Sequence, residues 1–308
     1  MTLAPARIGI DVSKAWLDTF NATTGNAHRI ANQRQEIEAF LQALPPGSTV
    51  VFEATAPYDA ALRQALSRTQ LVAIRANPGR VRDFARAAGR LAKTDQIDAR
   101  TLAAVPPAVA APVEIAFDPE REALVALHRR RDQLVDVRAI ERGRSADVAD
   151  ACERGSLERH IAWLDGEIAR IEAETQILIK RSGLASKAAL LRSLRGVGDV
   201  TVTTLLALLP ELGCRSAKAI AALAGLAPIN NDSGTLRGQR HVAGGRRRVR
   251  KALYMAALAA IRCVPRFKAC YRGIKARSGH AKVAVIAVAR KLLVTLNAMI
   301  KNNEPFRA

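Results

Sequence analysis

The first 88 residues alternate short β-prone runs with stretches of helical periodicity, and this order narrows the folds open to the chain. Apolar and β-branched runs predict the strands, while Pro45-Pro46-Gly47 and Asn77-Pro78 mark breaks between elements. We expect a three-stranded antiparallel meander, followed by alternating helices and strands. The predicted strands lie at 7–12, about 15–21, 27–31, within 48–55 and at 71–75, and the predicted helices at 33–44, 57–67 and 79–88.

The order β-β-β-α-β-α-β-α is that of a ribonuclease-H-like sheet. Asp11 lies in the first strand and Glu53 at the C-terminal end of the fourth, and this topology brings both strand ends beside the next helix. That helix is predicted to follow Thr94, which can cap it. Asp95 and Asp98 are three residues apart, so both lie on one face of the helix. We therefore expect these four carboxylates to converge.

A cluster of carboxylate oxygens is a ligand set that Mg²⁺ (or Mn²⁺) accepts, and a bound cation offsets the repulsion among them. We expect such a metal to neutralise and orient a phosphate under attack. Taken alone, Asp95 and Asp98 also fit ordinary surface acids, because a helix N-terminus favours negative charge. The four cysteines are scattered, which predicts reduced thiols. Because neither the cysteines nor the histidines have the spacing of a zinc site, carboxylates remain as the candidate metal ligands.

Residues 230–251, NNDSGTLRGQRHVAGGRRRVRK, place one small hydroxyl between a carboxylate and glycines. Ser233 is the candidate nucleophile, and the guanidinium groups that follow it suit phosphate oxygens. The pairing indicates phosphodiester chemistry. The alternative is an ordinary Asp-Ser-Gly turn beside a solvated basic loop. The candidate phosphate-binding side chains are Arg237, Arg240, Arg246, Arg247, Arg248, Arg250 and Lys251.

The positive charge of the chain is concentrated in its last part. The net charge is +20 overall, and it divides into +3 for residues 1–115, −2 for 116–183 and +19 for 184–308. Such an excess predicts a polyanionic partner, most often nucleic acid. No secretory leader and no long uninterrupted apolar run is evident, so we expect a soluble, cytoplasmic protein with no membrane partner.

Residues 116–183 are predicted to form a helical linker after the Pro106-Pro107 and Pro112 boundary, with helices at 120–141 and 157–181. Apolar residues of the second helix follow the alternating three-four spacing of a coiled coil, broken by Thr175. Their partner helix belongs either to another protomer or to an antiparallel hairpin within the chain. These apolar residues are Ile161, Leu164, Ile168, Ile171 and Leu178.

Residues 194–209, LRGVGDVTVTTLLALL, resemble one helix-hairpin-helix element. In such an element the backbone around Gly196 and Gly198 donates N–H groups to a phosphate without reading bases. The alternative is a glycine turn before an ordinary buried helix. Residues 251–262 and 282–300 predict alanine- and leucine-rich helices whose basic faces form a nucleic-acid track. Since aromatic residues are only 4% of the chain, base stacking on aromatic side chains is not its main binding mode.

Blocks distributed over nearly the whole chain resemble those of the DEDD transposases of bacterial insertion sequences, in the insertion-sequence one-ten family. This family comprises bridge-RNA-guided recombinases, with Piv-type DNA invertases as relatives. The matching blocks are GIDVSK (9–14), FEATAPY (52–58), NPGRVRDFARAAGRLAKTDQIDA (77–99), LRGVGDVTVTTLLALLPELG (194–213), IAALAGLAPINNDSGTLRGQRHVAGGRRRVRKALYMAALAA (220–260) and AVARKLLVTLNAMI (287–300).

The resemblance implies a RuvC-like domain over 1–115, a helical coiled-coil linker over 116–183 and a helical transposase domain over 184–308. It implies a metal site at Asp11, Glu53, Asp95 and Asp98, and Ser233 as a nucleophile that forms a phosphoserine link to DNA. The implied partners are double-stranded donor and target DNA, a bridge RNA and further copies of the chain, in a dimer or tetramer. Two rival functions remain: a metal-dependent nuclease that uses water, and a non-catalytic nucleic-acid-binding protein.

Overall fold

The computed structural model describes residues 5–55, 57–90, 94–110, 117–234, 238 and 240–307, without the side chains of residues 95, 96 and 110. It divides into two compact units, Met1–Phe117 and Asp118–Ala308. Each unit has its own hydrophobic core.

The described part of the first unit contains strands β1 (Arg7–Val12), β2 (Trp16–Asn21), β3 (Ala27–Ala31), β4 (Thr49–Glu53) and β5 (Val72–Ala76). These strands form one sheet in the order β3-β2-β1-β4-β5. β1 pairs antiparallel with β2, and β2 with β3, whereas β4 is parallel to β1 and β5 is parallel to β4. The predicted meander and the alternation of helices and strands that follows it are confirmed.

Helices cover both faces of this sheet, and they are α1 (Arg34–Gln42), α2 (Ala60–Leu66), α3 (Pro78–Ala87), α4 (Asp95–Ala104) and α5 (Pro107–Ala110). On one face, Phe52 belongs to a buried cluster with Ile37 of α1 and Leu62 of α2. On the other, Val51 belongs to a cluster with Leu102 of α4. Because successive residues of a strand point to opposite faces, one strand supplies both cores.

The described part of the second unit is mainly helical. It contains α6 (Pro119–Asp147), α7 (Ala151–Arg181), α8 (Ala185–Arg192), α9 (Asp199–Leu208), α10 (Ala217–Leu223), β6 (Pro228–Ile229), β7 (His241–Val242), α11 (Arg247–Cys263), α12 (Pro265–Ser278) and α13 (Ala281–Asn302). The two short strands form an antiparallel pair that connects α10 to α11.

Helices α6 and α7 pack against each other as a hairpin within the chain. Leu164, Ile168 and Ile171 of α7 form a buried cluster with Leu134 of α6, so three of the five predicted apolar residues find a partner helix within the chain. Both helices are longer than predicted, and only residues 148–150 connect them.

The helices predicted as a separate linker share their core with the C-terminal segment. Leu124 of α6 and Ile179 of α7 belong to the same buried cluster as Leu253 of α11 and Leu292 of α13. The structure thus groups the linker and the basic segment into one unit. Among the described helices, α13 alone is long and apolar enough to cross a membrane, with a mean hydropathy of 1.9, and half of that stretch is buried in the fold.

Candidate functional site

The acidic strand residues lie on one face of the sheet and at one end of it. Ile10 of β1 pairs with Phe52 of β4 in parallel register, so Asp11 and Glu53 are the next residues on the two neighbouring strands. Both are two residues beyond positions that face α4, namely Gly9 and Val51. Because side chains alternate along a strand, Asp11 and Glu53 point to the same face as α4.

Helix α4 packs unusually closely on β1, and Gly9 makes this approach possible. A Cβ at Gly9 would lie within 3.0 Å of the carbonyl oxygen of Ala99 and the backbone nitrogen of Ala103, a separation that real Cβ atoms essentially never show. Arg7, two residues earlier, donates from Nε to the carbonyl oxygen of Ala103 at 2.7 Å and also donates to that of Val105. Burial lowers the pKa of Arg7 from its ordinary value.

These contacts fix the direction of α4. Its C-terminal end lies beside Arg7, at the start of β1, so its N-terminal end with Asp98 lies toward the end of β1 that carries Asp11. Thr94 caps this end, since its side chain accepts a hydrogen bond from the Ile97 amide at 3.3 Å. Asp95 is the first residue of α4, and its side chain lies outside the described part of the structure.

The structure thus brings Asp11, Glu53 and Asp98 to one edge of the first unit, on one face. All three are partly exposed carboxylates, so the donor set is hard oxygen and fits Mg²⁺ or Mn²⁺ in chemistry. Among the side chains that the structure describes, which leave out Asp95, no three His, Cys, Asp or Glu residues are arranged as a preformed metal site.

Ser233 is exposed, in the loop that joins the paired strands β6 and β7. The loop is closed by Asp232, whose Oδ1 accepts a hydrogen bond from the Gly238 amide at 3.1 Å. Gly238 has no room for a side chain, because a Cβ there would collide with the carbonyl oxygen of Asn231. Ser233 is therefore exposed to solvent next to Asp232, whose side chain contacts Gly238. Arg237 lies outside the described residues.

The base of the β6–β7 hairpin is held by a close contact between two glycine turns, one before β6 and one after β7. A Cβ at Gly245, where φ is +64°, would collide with the backbone of Gly225. Arg250 of α11 bridges the turns, since its Nη1 donates to the carbonyl oxygens of Gly244 at 2.6 Å and Gly225 at 3.3 Å. Arg250 is thus engaged with the protein's own backbone.

Arg246 and Arg248, both predicted to bind phosphate, have carboxylate partners. Arg246 makes a two-pronged contact with buried Glu211, with N–O distances of 2.5 and 2.6 Å, and also donates to the carbonyl oxygen of Leu208 at 2.9 Å. Arg248 lies 3.3 Å from Asp132 of α6. By contrast, Arg240, Arg247 and Lys251 are exposed, and no hydrogen bond or ion pair engages them among the described residues.

The two glycines before α9 differ in their surroundings. Gly196 has a φ of +100°, and a Cβ there would lie 2.6 Å from the backbone nitrogen of Ala260 in α11, so close packing requires glycine. Gly198 precedes the first residue of α9, is exposed, and has open space at its Cβ position. Of the pair, Gly198 is therefore the one whose surroundings leave room for a ligand.

Two family models match the chain in consecutive ranges. A model of IS110-type DEDD transposases matches residues 8–148, and a model described as "Transposase IS116/IS110/IS902 family" matches residues 188–272. The chain belongs to the IS110 family of DEDD transposases. It is accordingly an enzyme of DNA transposition and recombination. Membership implies DNA binding and dependence on a divalent metal ion.

Curated relatives agree with this membership. The chain is 29% identical over 317 residues to the "Pilin gene-inverting protein" of Moraxella lacunata, and the match covers 97% of both chains. The protein of the same name from Moraxella bovis is also 29% identical, over 320 residues and 97% of each chain. A shorter match, 29% over 134 residues, covers 43% of this chain and 32% of the "Insertion element IS110 uncharacterized 43.6 kDa protein" of Streptomyces coelicolor.

One basic surface of this transposase was not predicted. Helix α12 carries five exposed cations, and no acidic residue occurs in the sequence between Asp232 and Glu304. This basic surface could have been predicted, because so long a stretch without carboxylates is visible in the sequence. The five cations are Arg266, Lys268, Arg272, Lys275 and Arg277.

A buried histidine was also missed, because its position depends on packing between helices. The side chain of His128 in α6 is 3% exposed, and its Nε2 lies 3.8 Å from Asp132, beyond hydrogen-bond distance. Burial lowers the pKa of His128; Asp132 opposes this shift, and Arg248 and Arg131 add to it.

Proposed function

We propose that this transposase cuts and rejoins DNA through a covalent link to Ser233. The observation that carries the proposal is the exposed Ser233, which lies beside the Asp232–Gly238 contact on a hairpin whose base is held by Gly225 and Gly245, within the basic unit. The Ser233 oxygen attacks a DNA phosphorus and loses its proton, and the bond to one sugar oxygen breaks. That oxygen takes up a proton and leaves as a hydroxyl. A sugar hydroxyl of another strand then attacks the phosphoserine and releases Ser233.

Asp11, Glu53, Asp95 and Asp98 would hold Mg²⁺ or Mn²⁺ in this reaction. When bound, the metal supplies stabilisation of the negative charge that develops on the phosphate. The shared face of Asp11, Glu53 and Asp98 supports this assignment. The strand order β3-β2-β1-β4-β5 further supports a ribonuclease-H-like, RuvC-like classification of the first unit.

Activation of Ser233 is the demanding step, since a serine hydroxyl is a weak nucleophile without an adjacent base. No histidine neighbours Ser233 in sequence, so the charge on the phosphate must be offset by cations. Arg240, Arg247 and Lys251 are the described candidates because their side chains are exposed and have no internal partner among the described residues.

Double-stranded donor and target DNA, a bridge RNA and further copies of the chain complete the proposal. The relatives' names refer to pilin gene inversion and to an insertion element, and both outcomes follow from the same cut-and-rejoin chemistry. The strongly basic 184–308 segment supports binding of these nucleic acids. We place the reaction on the chromosome in the cytoplasm.

The test is covalent capture of DNA. Wild-type protein with labelled duplex DNA, its co-purifying RNA and Mg²⁺ should give an adduct on a denaturing gel, and peptide mass spectrometry should find it on Ser233. Ser233→Ala should bind DNA without an adduct, while Ser233→Cys should retain a trace, because a thiolate is a competent nucleophile. The matched control is Ser216→Ala, which removes the exposed serine that caps α10; it should form adduct as wild type does.

An adduct on Ser13, Ser216 or Ser278 would refute the assignment of the nucleophile. Free cut ends without any adduct, unchanged in Ser233→Ala, would instead establish a metal-dependent nuclease that uses water. A mobility shift without cleavage would leave only nucleic-acid binding.

A further inference from the structure

Exposed aromatic side chains are concentrated at the edge of the first unit that carries the acids. The chain has two Trp, three Tyr and seven Phe residues, all of which the structure describes. Of these, Trp16, Tyr58 and Trp163 are exposed. Trp16 lies five residues after Asp11, and Tyr58 lies five residues after Glu53. Two of the three exposed aromatic residues thus follow the strands whose ends carry the candidate metal ligands.

Trp16 lies on the face of the sheet that carries Asp11. Asp18 of β2 pairs with Asp11 of β1, and Trp16 is two residues from Asp18 on the same strand. Because side chains alternate along a strand, all three share one face. Leu17, between Trp16 and Asp18, is buried in the core on the other face. Diagonal neighbours on adjacent strands are roughly 7–8 Å apart, so the indole can contact a ligand held at Asp11.

The backbone of Trp16 is fixed by the turn that precedes it. Its amide donates to Ser13 Oγ at 3.1 Å, and its carbonyl oxygen accepts from the Ser13 hydroxyl at 2.8 Å and from the Ser13 amide at 3.0 Å. Asn32 joins this turn to the second aromatic residue, since its Nδ2 donates to the carbonyl oxygens of Ser13 at 2.8 Å and Tyr58 at 3.0 Å. An aromatic side chain on a fixed backbone contacts a ligand with little loss of conformational entropy.

The chemistry of this edge restricts what the indole contacts. In the proposed reaction the acids hold the metal on a DNA phosphate, so the nucleotide that carries this phosphate lies beside Trp16. The indole of Trp16 is 48% exposed, and the face of such a ring suits a flat base, whereas phosphate oxygens suit cations. Lys14 is exposed in the turn between Asp11 and Trp16 and supplies a cation for the adjoining backbone.

We propose that Trp16 stacks on the base that flanks the DNA phosphate held at the acids, and that this contact positions the phosphate for attack. The proposal rests on the proposed function, because it takes the acids to hold a metal on a DNA phosphate. Exchange of strands between two duplexes requires the flanking bases to leave their pairing partners, and an unpaired base can stack on an aromatic ring. One such contact positions a nucleotide, while the cations supply most of the affinity.

The first test measures stacking without chemistry. Trp163→Phe leaves Trp16 as the single tryptophan of the full-length protein. This variant is titrated in Mg²⁺ with a short single strand of oligothymidine and, separately, with an abasic strand of the same length and charge. Both strands should bind in fluorescence anisotropy, because both carry the phosphates that cations neutralise. Oligothymidine alone should quench the emission of Trp16 in a saturable way.

The second test measures positioning in the Ser233 adduct assay. Trp16→Leu keeps an apolar side chain but removes the ring, and it should slow adduct formation about 5- to 150-fold. Trp16→Phe keeps a ring and should restore most of the rate. The matched control is Trp163→Leu, which removes the other exposed tryptophan and should react as wild type does. The fluorescence test uses native Trp16, so it decides the proposal even where Trp16→Leu fails to fold.

Saturated binding of oligothymidine without quenching overturns the proposal, as does equal quenching by the abasic strand. A change in Trp16 emission with protein concentration but not with DNA also overturns it, because the indole would then contact a second copy of the chain. Equal rates for Trp16→Leu and Trp16→Phe, or for Trp16→Leu and wild type, refute the positioning role. Adduct without base-dependent quenching refutes stacking alone, whereas base-dependent quenching without adduct refutes the proposed chemistry alone.

Discussion

At the scale of single residues, a glycine in β1 determines the position of a carboxylate in α4. Gly9 lets the backbone of α4 contact β1, and this contact sets where Asp98 lies relative to Asp11. Both acids could be identified from the sequence, because carboxylates at strand ends and in a capped first turn are visible there. The role of Gly9 could not, because the need for glycine arises from Ala99 and Ala103 of α4, which lie 90 and 94 residues further along the chain.

We predict that Gly9→Ala destabilises the first unit by at least about 1–3 kcal/mol, the usual cost of overpacking, because the new methyl group collides with rigid backbone. Urea denaturation followed by circular dichroism measures this. The control is Gly166→Ala in α7, where the new Cβ would meet nothing within 4 Å; its stability should be equal to wild type or higher, because alanine favours a helix more than glycine does. Equal midpoints for Gly9→Ala and wild type would contradict the close packing of α4 on β1.

The buried His128 predicts how the stability of the second unit depends on pH. Because burial lowers the pKa of His128 in the folded state, the unfolded chain binds the extra proton first as pH falls below about 6.5, the ordinary histidine value. Stability is therefore full above that pH and decreases below it. His128→Leu should lose part of this decrease between pH 6.5 and 5 in thermal melts. His160→Gln, which removes a histidine whose side chain is 45% exposed, should retain it. A His128→Leu profile parallel to wild type would refute this origin.

At the scale of elements, local sequence signals predicted which strands and helices form. They predicted less well where each helix begins. Predicted strands 7–12 and 27–31 match β1 and β3, since alternation and β-branched residues are local. Helix α6 was predicted to start one residue late, although Asp118 caps it by accepting from the Glu120 amide at 3.0 Å. Helix α7 was predicted to start six residues late, although Asp150 caps it by accepting from the Glu153 amide at 2.8 Å. Both caps were readable in the sequence.

The coiled-coil pattern of α7 was only partly informative. Thr175, the predicted break, is buried, and its hydroxyl donates to the Ile171 carbonyl at 2.7 Å. Ile179 is buried in place of the predicted Leu178, which is partly exposed. A straight helix with 3.6 residues per turn drifts away from a seven-residue repeat, so the apolar stripe moves by one position over several turns.

Some arginines after Ser233 are bound to other parts of the protein, and others are exposed. The amino-acid composition alone could not distinguish the two groups. We predict that Arg246→Ala destabilises the second unit by about 3–5 kcal/mol, because it leaves buried Glu211 without its partner. Arg247→Ala should leave stability within about 0.5 kcal/mol but weaken DNA binding, since its side chain is exposed. Denaturation and fluorescence anisotropy on the same preparations measure both effects. If Arg247→Ala were the destabilised variant, the division would be wrong.

At the scale of the whole molecule, the two compact units carry different parts of the proposed chemistry. The first contains Asp11, Glu53 and Asp98, and the second contains Ser233 and most of the excess positive charge. The family resemblance assigned these parts to successive segments, and packing shows that the helical hairpin is grouped with the basic part. No local pattern could reveal that grouping, because it depends on the packing of Leu124 and Ile179 with residues far along the chain.

We predict that nucleic-acid affinity resides in the second unit, on the exposed cations of α12. Residues 233–303 contain 17 Lys and Arg and no Asp or Glu, so no carboxylate of that stretch competes with DNA phosphates for the cations of α12. Removing one cation that neutralises a phosphate should reduce the slope of log K against log salt by about 0.9 on duplex DNA. The triple variant Lys268→Gln, Arg272→Gln, Lys275→Gln should therefore bind duplex more weakly, with a slope smaller by up to about 2.7. The control removes three exposed arginines from α3 of the first unit, Arg80→Gln, Arg82→Gln and Arg86→Gln, for the same change in net charge. Its slope should stay near wild type; an equal decrease in both variants would show that net charge, and not the surface of α12, determines binding.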